Sequence, residues 1–145
     1  MNPPNPLYPT EAQIEDLVAA FYARIRKHPD LSPIFERVIG ADWGPHLKVM
    51  CDFWSSVMLT TGKYKGRPIP AHVKIAELIP GHFAEWLALF EATASELFAP
   101  ALAASFVEKA RRIAESLKLG FAFHSPTPEL WAEFPPRAIP LTTLR

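Results

Sequence analysis

Between residues 10 and 117, apolar side chains return every three or four positions, and prolines stand at the breaks between the runs. That period belongs to amphipathic helices, and proline is tolerated at a helix start but disrupts a helix interior. Thr10, with Gln13 three positions on, forms a capping-box pattern ahead of Ile14, Leu17, Val18, Phe21, Tyr22 and Ile25. A first helix is therefore predicted to run to about Lys27, before Pro29. Ser32-Pro33 opens a short helix over 33–39, with Gly40 as its C-terminal cap. Asp42 caps a third, whose Trp43, Leu47, Met50, Phe53, Trp54 and Val57 share one face and which stops near Gly62. A helix over 82–98 turns Phe83, Trp86, Leu87, Phe90, Ala94 and Leu97 inward. A last one from Pro100 does the same with Leu102, Phe106, Ala110, Ile113 and Leu117, with Gly120 near its end. No alternating strand run, Asn-Gly hairpin signal or internal repeat breaks the series, so the fold class is all-α.

Residues 61–81 are a proline- and glycine-punctuated connection, long enough to imply a task. Within it Pro70 starts a predicted short helix that lines up His72, Ile75, Ala76 and Ile79. Residues 1–9 carry four prolines and form an extended arm; residues 10–123 form the domain; residues 124–145 are a proline-rich tail. In that tail Trp131 and Phe134 fall in a one-turn helix after Thr127-Pro128 and are expected to pack back onto the body.

Fifteen basic and fifteen acidic residues cancel, with no basic stripe, which removes the electrostatic basis for nucleic-acid or anionic-membrane binding. The single cysteine, Cys51, excludes intrachain disulfides, a four-thiolate iron–sulfur cluster and a Cys-x-x-Cys-His haem attachment. It reads as a small buried filler. No stretch of eighteen apolar residues and no leader pattern appears, so a cytoplasmic location is expected. His-Glu-x-x-His, Gly-x-Ser-x-Gly and phosphate-loop motifs are missing, and so are paired carboxylates on an apolar face. What remains is His46 and His72, 26 positions apart on two apolar helical faces, with aromatic hydrogen-bond donors nearby. Haem iron needs such an axial imidazole and a largely dry pocket.

Four segments carry a family likeness: Phe21-Tyr22-Ala-Arg-Ile-Arg with Pro33-Ile-Phe35; Trp43-Gly-Pro-His46 through Phe53-Trp54-Ser-Ser-Val; Thr61-Gly-Lys-Tyr64-Lys-Gly-Arg-Pro68 to His72; and His82-Phe-Ala-Glu-Trp86-Leu-Ala-Leu-Phe90. In this order and spacing, over roughly residues 11–123, the chain resembles a group III truncated haemoglobin. The Gly-Gly pairs of the other truncated groups are missing, in agreement with the third. The resemblance implies a shortened globin fold, a two-over-two helical sandwich, holding a non-covalent haem b. It makes His72 the proximal iron ligand and Tyr22 and Trp86 distal donors, with His46 at the distal entrance. Phe21, Phe35, Met50, Phe53 and Trp54 become haem-contacting residues, and Tyr64, Lys48 and Arg67 candidates for the propionates.

The implied function is binding or transport of oxygen or a related diatomic, NO or CO, in a monomer served by an unidentified reductase. A haem enzyme that oxidises nitric oxide or reduces peroxide is the alternative, and a cofactor-free helical interaction module the second. Peroxide chemistry favours a carboxylate partner for the proximal imidazole, and none stands obviously beside His72, since Glu77 is expected to face away. Taken singly, each residue also has a structural reading. His72 would then bond a loop carbonyl, Tyr22 and Trp86 would be core, and His46 would be a gate or a satisfied spectator. His28, His82 and His124 read as helix-end or surface residues.

Overall fold

The computed structural model describes residues 7–68, 72, 75 and 77–124. Among them run five helices and no strand: α1 Glu11–Ile25, α2 Ser32–Ile39, α3 Trp43–Leu59, α4 Pro80–Leu97 and α5 Pro100–His124. Helix α1 packs on α3, α4 packs on α5, and α1 crosses to α4. None of these helices is long and apolar enough to cross a membrane.

The ends follow local chemistry. The Thr10 hydroxyl accepts the Gln13 N–H at 3.1 Å while the Gln13 side chain accepts the Thr10 N–H at 2.9 Å, closing the capping box. Helix α1 stops at Ile25 and unwinds through three-residue turns, with the Lys27 N–H on the Arg24 carbonyl and the His28 N–H on the Ile25 carbonyl. Ser32 lies inside α2 and Leu31 holds the cap position, while Gly40 ends the helix at φ 60. Thr60, at φ 54, terminates α3 before Gly62 is reached. At the other end of the chain, α5 runs through the buried Gly120 to His124.

The segment before α4 departs from expectation. Pro68 and His72 have helical backbone and Ile75 and Ile79 do not, while Pro70 lies outside the described residues. Ile75 packs against buried apolar residues, but Ile79 is 38% exposed and Leu78 takes the buried place. Helical periodicity cannot place side chains once the helix has ended. Ala76, the first six residues of the arm, and the tail with Trp131 and Phe134 lie outside the described residues.

Two apolar clusters form. The larger joins α1, α3, α4 and α5 around Phe21, Trp54, Phe90 and Phe106; the smaller gathers Ile34, Leu78, Phe83, Leu117 and Phe121. Phe106 is fully buried and Phe90 nearly so, and such rings contribute about 1.5–3 kcal/mol each through area removed from water. Polar ties lock the register. Arg24 of α1 donates to the buried Thr93 of α4 at 3.1 Å and pairs with Glu96. The buried Ser55 hydroxyl donates to Glu11 at 2.7 Å and lies 2.9 Å from the Thr61 hydroxyl.

The Ser55 bond, and then Lys63, hold the Glu11 carboxyl below its usual range. A lowered carboxylate stabilises the fold above its unfolded pKa and loses that contribution as pH falls through the folded one. Ser55→Ala is therefore expected to reduce stability by about 1–3 kcal/mol in urea unfolding near neutral pH. The gap from wild type should shrink in acid.

Candidate functional site

Between the two clusters lies a cleft of about 890 Å³ of atom-free space, part of it open to solvent. One wall carries His72. Its Nδ1 lies 2.6 Å from the Pro68 carbonyl oxygen. A carbonyl only accepts, so Nδ1 carries the proton and donates it, and Nε2 keeps its lone pair. Burial pushes the His72 pKa down, against the opposing effect of that bond, so the ring is neutral at neutral pH. A neutral imidazole held through Nδ1 by a carbonyl is the form in which histidine ligates metals. Glu77 turns instead to Arg37 of α2, and this ion pair ties the segment after His72 to the body.

Another part of the wall is an aromatic stack with polar tips. Tyr22 on α1 meets His46 on α3 edge-on, centroids 5.1 Å apart at 89°, and both border the cleft. The His46 Nε2 is buried and has no hydrogen-bond partner among the described residues. Burial first, and then repulsion from His72 where both rings would be protonated, hold the His46 pKa below its ordinary value. Burial drives the Tyr22 hydroxyl far above its usual pKa, so it stays a neutral donor. Behind them Trp43 packs on both rings, and its indole N–H donates to Glu36 at 3.2 Å while Arg26 sits 4.5 Å over its face. Sequence reasoning placed Trp43 on the core face without this bracing role. Its signal was the one-turn spacing from His46.

Trp86 on α4 stacks on Phe90 at 5.5 Å and 16°, and its ring borders the cleft beside Tyr22. Neither the Tyr22 hydroxyl nor the Trp86 indole N–H donates to any described residue. Phe35, Met50, Phe53 and Trp54 also line the cleft. Phe21 does not. It is 2% exposed in the core and stands perpendicular to Trp86 at 5.6 Å and edge-on to Tyr22 at 5.2 Å, bracing both donors from behind. Residues 21 and 22 lie about 100° apart around α1, and Tyr22 occupies the cleft-facing arc. Lys48 is an exposed residue on α3, 3.6 Å from Asp52, and Arg67 is exposed in the connection; neither borders the cleft.

No family model matches the chain. A group 3 truncated haemoglobin (ctb) of Campylobacter jejuni is 30% identical over 107 residues, covering 72% of this chain and 84% of that protein. The crystal structure of a group III truncated haemoglobin from Campylobacter jejuni superposes with a TM-score of 0.72 at 28% identity, covering 75% of this chain and 88% of that one. The chain belongs to the group III truncated haemoglobins. The five described helices form a truncated globin fold, with α1 and α3 in one layer and α4 and α5 in the other.

In this truncated haemoglobin the sequence reading overlooked part of the wall. Leu31 and Leu78 enter from irregular segments, where periodicity gives no facing. His82 borders the cleft while also serving as a helix-end residue, its Nδ1 accepting the Ile79 N–H at 3.1 Å. Tyr64 is fixed by three neighbours. Its N–H donates to Ser56 at 2.8 Å, its ring meets Phe53 at 5.1 Å and 89°, and its hydroxyl passes over Gly66, where an added Cβ would lie 2.5 Å from the oxygen.

Burial raises the Tyr64 pKa. Gly66→Ala is expected to displace the ring and return that titration toward about 10. Tyrosinate absorbance against pH, with Tyr64→Phe assigning the transition, reads the change; an unmoved transition would show that the glycine is not needed.

Proposed function

We propose that this protein holds a non-covalent haem b in the cleft and binds oxygen or a related diatomic, NO or CO, there. The observation that carries the proposal is a neutral His72, with Nε2 left as its lone-pair atom, on the same cavity as two aromatic donors that no described residue satisfies. The residues fit the group. The walls are largely aromatic and aliphatic, the orphaned His46 Nε2 lies buried beside the cleft, and the donor set is one nitrogen ligand with neutral donors. Cys51 does not border the cleft, so attachment through sulfur has no support.

His72 would hold the iron, and bound haem supplies a ferrous centre able to take a gas reversibly. Tyr22 and Trp86 would donate to the ligand as it gains negative charge, from rigid apolar bodies that bring no net charge into the pocket. Phe21, Phe90 and Trp43 keep those donors in place, so little ordering entropy is lost when they engage. His46, neutral and without a hydrogen-bond partner at Nε2, would screen access on the distal side. A carbonyl rather than a carboxylate at His72 Nδ1 gives a less electron-rich ligand, which favours reversible binding over peroxide reduction.

Titrating the apoprotein with haemin tests the cofactor. Wild type is expected to develop a Soret band saturating at one equivalent and His72→Ala to lose it, whereas a folded chain indifferent to haemin would overturn the proposal. Each donor is expected to contribute about 1.5–3 kcal/mol, so oxygen dissociation should quicken roughly tenfold to a hundredfold in Tyr22→Phe and in Trp86→Phe. Unchanged rates in both would remove donor control. In His46→Leu, flash photolysis should show faster carbon monoxide association, and an unaltered rate would mean that ligands enter elsewhere.

A further inference from the structure

His82 is a cleft-wall residue that neither the proximal nor the distal roles use. It stands in the first turn of α4, and because its Nδ1 accepts the Ile79 N–H, the neutral ring carries its proton on Nε2. No described residue accepts that proton.

The charged groups around it belong to α4 and to the turn between α1 and α2. Glu85, Asp30 and His28 bring one side-chain atom each within 4.8 Å of one another. Contact with Asp30 first, and then burial, push the Glu85 carboxyl up, with His28 and His82 opposing. Glu85 therefore keeps its proton longer than an isolated carboxyl would, and it is a weaker acceptor for His82 than a full anion. The His28 Nδ1 accepts the N–H groups of Asp30 and Leu31, each at 3.2 Å.

A half-buried N–H donor on the edge of a mostly apolar cleft suits the polar edge of a flat amphipathic ligand. We propose that His82 is a cofactor-binding residue whose Nε2–H receives a carboxylate on the edge of the tetrapyrrole. The proposal rests on the haem reading above and adds to it which end of the cleft takes the anionic edge. That end is the start of an 18-residue helix, where the peptide dipoles also favour negative charge. Ile79 fixes the ring through the other nitrogen, so the donor is oriented before any ligand arrives.

The test is the rate of haem loss to an excess of scavenging apoglobin, from wild type and His82→Glu, each loaded with haem b or with its dimethyl ester. Glutamate at this helix position retains an acceptor for the Ile79 N–H, so the cap survives while a donor becomes an anion. With haem b, His82→Glu should lose its cofactor at least about tenfold faster than wild type. With the diester, which has no carboxylate to hold, the two should agree. His82→Gln, capped and neutral, should show a smaller acceleration, again confined to the free acid, and it serves if the glutamate variant does not fold. Equal rates with haem b, or the same acceleration with both forms, would overturn the role of His82. A wild-type chain that takes up neither form would overturn the haem reading itself.

Discussion

The hydrogen bond from His72 Nδ1 to the Pro68 carbonyl is the interaction on which the rest of the site depends. It fixes the tautomer, and with it the nitrogen that keeps a lone pair. It also explains the form of the connection. Pro68 and His72 both have helical backbone, and the carbonyl of the one accepts from the ring of the other. The segment is then anchored on its far side by the ion pair between Glu77 and Arg37 and by the buried Leu78. A short, tethered turn presents one imidazole to the cavity at little conformational cost.

Opposite that imidazole the architecture is one of braced rings. Tyr22 is held by Phe21, Trp43 and His46, and Trp86 by Phe21 and Phe90, so the two donors share Phe21 as a common support. Trp43 is in turn pinned by Glu36 and Arg26 at the surface. The cleft lies between the two apolar clusters and is lined by residues of both. A ligand that fills it and binds only the folded chain adds stability in proportion to its affinity. Stability and function are thus linked through the same space.

Much of this was legible in the sequence because it rests on period and caps. The Thr10–Gln13 box and the runs of α1, α4 and α5 are local signals, and tertiary packing agreed with them. Phe21 and Tyr22 show where that information ends: both lie in one apolar arc, and only the position of α4 decides that tyrosine meets the cleft and phenylalanine the core. Ile79 and Leu78 illustrate the same limit, since a period carried past the end of a helix points to the wrong neighbour. His82 was hidden for a different reason. A histidine that caps a helix looks complete in the sequence, and only the cavity reveals its second face. Gly66 is explained only by the ring that crosses it.

The most direct test of the central claim is resonance Raman spectroscopy of the ferrous, ligand-free protein reconstituted with haem and grown with either ordinary or 15N-labelled histidine. An iron–histidine stretching band that shifts on labelling, and that vanishes in His72→Gly until free imidazole is supplied, is the expected result. A spectrum without that band, or one that His72→Gly leaves intact, would contradict the assignment of the iron to this nitrogen.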